Sequence, residues 1–293
     1  MKKILFFLVL SACNSLSAQN SYKGPVIDTH CHVSIAGERV TSGSRSADIP
    51  VLSKIYSDSK FEKAGLIVFA RKGQIEKTMA KNDSLIDFCR KNPKYYPICS
   101  VHPDDGEAAV KEIERVYKRG VRFLKFHSAA QNFDPSSESA RTVFQKASDL
   151  RMTMLFDGWN PLDANLVGKL ISVAVSMPDG RFIIAHMGGP NFNQLLLLTV
   201  YENQPWYKKN IWVDISALSM LYEDSPYIEQ IKWTIRKIGT DRVLFGSDYP
   251  YMPVEDAIKS VEKLALSPDE MNAVMYGNAR ELLRMSEEVS LGK

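Results

Sequence analysis

The chain has 293 residues, of which 45% are hydrophobic and 24% charged, a balance that suits a globular protein with a large buried core and excludes a disordered or fibrous one. Its 37 Lys and Arg against 34 Asp and Glu leave a formal net charge of +3. With neither a basic tract nor an acidic tail, the pattern points away from nucleic acid and toward a small-molecule partner.

In chain order, the first feature is Met1-Lys2-Lys3, a short positive segment, followed by an unbroken apolar run from Ile4 to Leu10 and then small residues. This reads as an export signal over residues 1–18, too short to cross a bilayer as a helix. Two processing patterns are present. Leu10-Ser11-Ala12-Cys13 resembles a bacterial lipobox, with Cys13 as the lipidated residue, and Leu16-Ser17-Ala18 ahead of Gln19 resembles an ordinary cleavage site. Either one predicts an exported protein, as a membrane-anchored lipoprotein, a periplasmic protein or a secreted one. Loss of Lys2 and Lys3 takes the basic count from 37 to 35 against 34 acids, which leaves no strong electrostatic steering. Of the 4 cysteines, Cys13 falls in the signal; Cys31, Cys89 and Cys99 are an odd set that makes no disulfide framework and suits apolar packing.

Residues 19–293 read as one domain. Short apolar runs fall at Pro25–His32, Ala64–Ala70, Tyr96–His102, Val121–His127, Met152–Phe156, Phe182–His186, Ile211–Ser216 and Val243–Asp248. Each is of strand length and mostly apolar on both faces, as in a parallel sheet covered on both sides. Amphipathic patterns lie between them at 74–91, 106–119, 136–149, 161–177 and 223–238. In the second of these, Ala109, Ile113 and Val116 share a side opposite Lys111, Glu112, Glu114 and Arg115. Eight strands alternating with helices predict a (β/α)8 TIM barrel. The alternative is an open doubly wound sheet, which more often carries a glycine-rich turn after its first strand; here that strand ends Asp28-Thr29-His30-Cys31-His32. The one long connection, 33–62, is rich in Ser, Gly and Arg, with a short helix near Leu52–Tyr56. A loop of that length on the active face of a barrel is usually functional.

All 5 histidines fall at or near the C-terminal end of an expected strand: His30 and His32, His102, His127 and His186. A parallel barrel brings those ends to one rim, and clustered imidazoles suit a divalent metal. His30 and His32 are two apart and share a strand face. Asp248, ending the eighth strand, is a carboxylate able to bind metal and to take a proton from water.

Val26-Ile27-Asp28-Thr29-His30-Cys31-His32, Ile183-Ile184-Ala185-His186-Met187-Gly188-Gly189 and Leu244-Phe245-Gly246-Ser247-Asp248-Tyr249-Pro250 resemble three signatures of the amidohydrolase superfamily. The closer match is its aminocarboxymuconate-semialdehyde decarboxylase-like branch. Lys125-Phe126-His127 and Tyr276–Leu283 resemble that branch's fourth strand and C-terminal helix, so the resemblance spans roughly 25–285. It implies His30, His32 and Asp248 as metal ligands and His186 as the contact to the attacking water or the substrate. In this branch a further metal-binding histidine ends the fifth strand, where this chain has Asp157. Asp157 is then either an oxygen ligand, giving a harder site that admits Mn or Fe beside Zn, or a substrate contact or helix cap beside a weakened site.

Lys125 and His127, also two apart, are read as substrate or supporting groups, and His102 is as well explained by structure. Arg71, Arg39 and Arg45 suggest an anionic, carboxylate-bearing substrate, with Trp159 and Tyr249 as pocket walls. Together with these residues, the resemblance implies a metal-dependent hydrolase of amide, lactone or related ester bonds. Two other readings keep the barrel: non-oxidative decarboxylation of an unsaturated or aromatic carboxylate, and an exported binding protein with a degraded metal site. Barrels of this resemblance are often homodimers, though no stripe here marks an interface.

Overall fold

A computed structural model describes residues 21–288. The expected export signal, Cys13 included, lies outside them. Eight strands form one sheet: β1 (Val26–His32), β2 (Phe61–Ile67), β3 (Tyr95–Ser100), β4 (Phe123–Phe126), β5 (Thr153–Phe156), β6 (Arg181–Ile184), β7 (Ile211–Asp214) and β8 (Val243–Leu244). They lie in sequence order and every neighbouring pair is parallel. The eighth strand meets the first beyond its own regular stretch. Thr29 N donates to Phe245 O at 3.0 Å, His32 N donates to Tyr249 O at 2.8 Å, and Cys31 bridges to Tyr249 in parallel. The expected (β/α)8 barrel is the fold.

Alternation along the strands sorts the core into two layers. Ile27, Ile67, Ile98, Phe123, Leu155, Ile183, Trp212 and Leu244, one from each strand, form the interior plug. Ala279, Leu282 and Leu283 of the last helix, Asn278–Glu288, join that plug from the N-terminal side. Strand residues of the other parity, such as Leu124, Met154, Phe156 and Val213, pack outward against the helices. In Glu107–Lys118 the buried face is Ala109, Ile113 and Val116, as its periodicity predicts. Each Ile or Val buried there contributes roughly 1.5–3 kcal/mol. Glu112, expected on the opposite, charged side, is buried as well, because Arg115 and Asn82 pair with its carboxylate.

Several boundaries differ from expectation: the strand expected at Val243–Asp248 ends at Leu244 and the helix expected at 223–238 starts at Tyr227, and two others have a plain local cause. β2 begins at Phe61 rather than Ala64, because the charged Glu62 and Lys63 sit at the strand's entry, where they stay partly in solvent. The helix expected at 161–177 starts at Leu166: the side chains of Asn160 and Asp163 accept from the backbone N–H groups of Leu162 and Asn165, holding those residues in turns. Cys31, Cys89 and Cys99 are buried free thiols. Among the described residues no helix is long and apolar enough to cross a membrane.

The long first loop is pinned rather than loose. It holds a two-residue hairpin, Thr41–Ser42 against Arg45–Ser46, and a short helix, Ile49–Ile55. Arg45 donates to the carbonyls of Pro250 and Tyr251 at 2.7 and 2.8 Å. Lys81 reaches up from the helix Ile75–Lys91 to Glu38 and to the Phe69 carbonyl.

Candidate functional site

Period-two alternation carries the interior face upward from the plug. Lys125, Asp157 and Asp214 each stand two residues beyond a plug residue (Phe123, Leu155 and Trp212), so they rise inward at the C-terminal rim. His30 and His32 come from β1, His186 from just after β6, and Asp248 from the curl after β8. All seven are buried.

The backbone is bent to achieve this. His186, Met187 and Asp248 hold positive φ angles of 57°, 47° and 57°, a region that costs non-glycine residues of order 1–3 kcal/mol each. Gly246 lets β1 approach the curl, since a Cβ there would lie 2.7 Å from that of His30. Below, the Asp28 carboxylate accepts from the backbone N–H groups of His30 and Ser247, both at 3.0 Å, and from the Tyr56 hydroxyl at 2.5 Å. It therefore ties the strand bearing the histidines to the segment bearing Asp248. Burial raises the Asp28 carboxyl to about 6, against the lowering effect of those donors.

Two clusters share the rim. In the first, Nε2 of His32 is 3.1 Å and Nε2 of His30 3.5 Å from Asp248 Oδ1, so two imidazole nitrogens and one carboxylate oxygen face a common point. His30 Nδ1 lies 3.0 Å from Asp214 Oδ2. If His30 donates Nδ1–H to that carboxylate, the lone pair of Nε2 is left toward Asp248. Asp214 Oδ1 accepts from the His186 and Ser216 backbone N–H groups and from the Ser216 hydroxyl, which leaves the carboxylate saturated. His30, His186 and Asp214 also lie close enough to hold an ion, but those hydrogen bonds make Asp214 a support rather than an open ligand. His32 Nδ1 is buried without a partner. Two nitrogens and one oxygen facing a common point are the three protein ligands that a catalytic divalent metal uses.

The second cluster centres on Asp157. Its Oδ2 is 3.3 Å from His186 Nε2, 3.3 Å from His127 Nε2 and 3.6 Å from Lys125 Nζ; its Oδ1 accepts from Trp159 N at 3.0 Å. Lys125, wholly buried, also lies 3.3 Å from His30 Nε2 and links the clusters.

Electrostatics follow from this packing. Burial, and then the Lys125 charge, press His30 down to about 4, and burial presses His127 to about 4. Burial would lower His186 too, yet Asp157 raises it to about 9, with Asp248 and Asp214 adding to the pull. Asp157 is held well below the usual carboxylate range: burial opposes this, and the charges of His186, His127 and Lys125 outweigh it. Asp214 and Asp248 are lowered against burial as well, Asp214 by His30 and Asp248 first by its hydrogen bond to His32.

Of the residues singled out from sequence, His30, His32, Lys125, His127, Asp157, His186 and Asp248 converge. Asp157 is outside both candidate ion groups. Arg71 is on the surface, 63% exposed, with Glu38 3.9 Å away. Trp159 packs on Gly189, its indole Nε1 buried without a partner. Tyr249 turns its hydroxyl to the Ser46 carbonyl. His102 is structural, with Nε2 2.6 Å from Gln131 O and Nδ1 accepting from Asp104 N. Sequence reasoning missed Asp214, Ser216, Asp28 and Tyr56. The available signal was Trp212-Val213-Asp214, a carboxylate at the end of an apolar strand.

A family model described as Amidohydrolase matches residues 27–285. No curated protein matches the chain. Among solved structures, 2,6-dihydroxybenzoate decarboxylase from Rhizobium is similar at TM-score 0.68 and 16% identity, covering 89% of this chain and 99% of that one. A dihydroxybenzoic acid decarboxylase from Polaromonas, with manganese and the inhibitor 2-nitroresorcinol bound, gives 0.69 and 16%, covering 89% and 97%. A probable 2-pyrone-4,6-dicarboxylic acid hydrolase from Acinetobacter baumannii, with citric acid bound, gives 0.64 and 16%, covering 88% and 98%.

Proposed function

Because the chain belongs to the amidohydrolase family, we propose that it is a metal-dependent hydrolase that cleaves an amide, lactone or related ester bond. The observation that carries this reading is the meeting of His30 Nε2, His32 Nε2 and Asp248 Oδ1 around one point, with Asp214 behind His30. These three would hold the ion: zinc first, given two imidazoles, with manganese or iron as the other candidates. When bound, a divalent ion polarises a carbonyl and makes water acidic enough to attack near neutrality.

The chain's own groups do the rest. Asp248 accepts a proton from the attacking water and returns it to the leaving group. Asp214 fixes the His30 ring in one tautomer. His186, anchored through Nδ1 by Ser216 and paired through Nε2 with Asp157, holds positive charge beside the site, where it favours charge growing on the carbonyl oxygen. Lys125 and His127 hold Asp157 in place beside it.

Elemental analysis beside a panel of lactones, esters and amides tests this reading. We expect stoichiometric metal in the wild type and Asp157→Ala, none in His30→Ala, and turnover of at least one neutral ester or lactone. A metal-free wild type that stays inert after addition of Zn, Mn or Fe would leave only a non-catalytic barrel. The decarboxylases among the similar structures favour a second reading, non-oxidative decarboxylation, and release of CO2 from an aromatic carboxylate without ester cleavage would establish it. The N-terminal pattern supports export. Cell fractionation should find the wild type outside the cytoplasm, and Cys13→Ser should free it from the membrane if the lipobox is used.

A further inference from the structure

The substrate's charge can be read from what Asp157 already holds. Recognition of a carboxylate takes two or three cationic or N–H donors converging on its oxygens. Such a set exists at this rim, in Lys125 Nζ, His127 Nε2 and His186 Nε2, but all three converge on one oxygen of Asp157, at 3.6, 3.3 and 3.3 Å. Both Lys125 and His186 are buried, so neither can swing out toward an incoming anion without leaving a charge behind.

Of the arginines singled out from the sequence, whose forks suit carboxylates best, none is buried at the rim, and Arg39 is exposed. Arg45 donates to the Pro250 and Tyr251 carbonyls, and Arg71 stands in solvent beside Glu38. Aromatic rings lie against the histidines of the site instead. The Phe69 ring lies 5.2 Å from that of His32 and 5.8 Å from that of His127, and Tyr251 meets His32 edge-on at 5.5 Å.

We propose that the site takes an uncharged small molecule bearing an apolar or aromatic ring, and that Asp157 fills the place a substrate carboxylate would otherwise occupy. On the hydrolase reading, on which the reaction class rests, the substrate is a neutral aryl or alkyl lactone, ester or amide. Asp157 then acts as a specificity-determining residue: it neutralises the donor set and repels a second carboxylate.

The test compares two probes that differ by one carboxylate, 2,6-dihydroxybenzoate and resorcinol, titrated calorimetrically into the intact protein as purified. The wild type should bind resorcinol more tightly than the benzoate, whereas Asp157→Ala should bind the benzoate at least about tenfold more tightly than the wild type does, with resorcinol unchanged. Adding Lys125→Met to Asp157→Ala should abolish the gain. A wild type that prefers the benzoate by about tenfold or more overturns the proposal, as does an Asp157→Ala protein of unchanged melting profile that shows no gain. Should Asp157→Ala fail to fold, Asp157→Asn replaces it, and the wild-type comparison decides on its own in any case. If no ester, lactone or amide is turned over while the wild type still shows no carboxylate preference, the reaction class falls and the assignment of charge stands.

Discussion

In the proposed metal site, Asp214 is a side chain with no place on the open side that would nonetheless govern it. The carboxylate accepts from two backbone N–H groups, one hydroxyl and the His30 ring, so it can only orient and polarise. Removing such a partner typically weakens metal binding about 10–100-fold. Asp214→Ala should therefore lower affinity by that factor in a metal titration while the protein stays folded, and an unchanged affinity would reduce the residue to packing. Its role was not legible in the sequence, because it rests on a contact between β7 and β1, 184 positions apart. The histidines were legible because each ends a strand. His102 shares that position but turns its ring between its own loop and the next one, where the Asp104 N–H and the Gln131 carbonyl take its two nitrogens.

Among the elements, the strands were readable to within a few residues because burial on both faces leaves an almost unbroken apolar run. β8 is the exception. Its ladder ends at Leu244, since the residues beyond it leave the regular sheet to bond with β1 and to present Asp248. Gly246 marks that departure. Gly246→Ala would press a methyl group against the His30 Cβ at 2.7 Å and the Ser216 Cβ at 3.3 Å. A cost of about 1–3 kcal/mol is expected. It should be read as a lower denaturant midpoint together with weakened metal binding; a fall in midpoint alone would mean that the curl relaxes without moving His30.

The buried charges couple the whole fold to pH. Free imidazole protonates near 6.5, whereas His30 and His127 are held near 4 in the folded chain. The unfolded chain therefore binds more protons between those values, and stability falls as the pH drops through that window. Asp28, raised to about 6, works the other way but is one group against two. His186 keeps its proton to about 9, so its contribution is complete below about 6.5 and is lost as the pH climbs toward 9. The metal-free protein should melt at its highest temperature near pH 6.5, with decline on both sides; a curve rising steadily to pH 9 would contradict the charge state given to His186. The barrel itself was legible as eight alternations. The way its loops close over the rim was not, since Arg45 and Lys81 find their carbonyl partners only once the barrel has formed.

Tyr22, before β1, bonds to Glu262 and Asn272, and the closing helix Asn278–Glu288 lies under the strand entries, where Ser286 meets Thr153 and the Met285 carbonyl meets Arg181. Both ends of the described chain thus leave from the floor of the barrel, opposite the mouth. A tether or solid support attached at Ser21 or Glu288, the ends of the described residues, should leave the rim facing open solution, so an immobilised preparation ought to retain the substrate access of the free one.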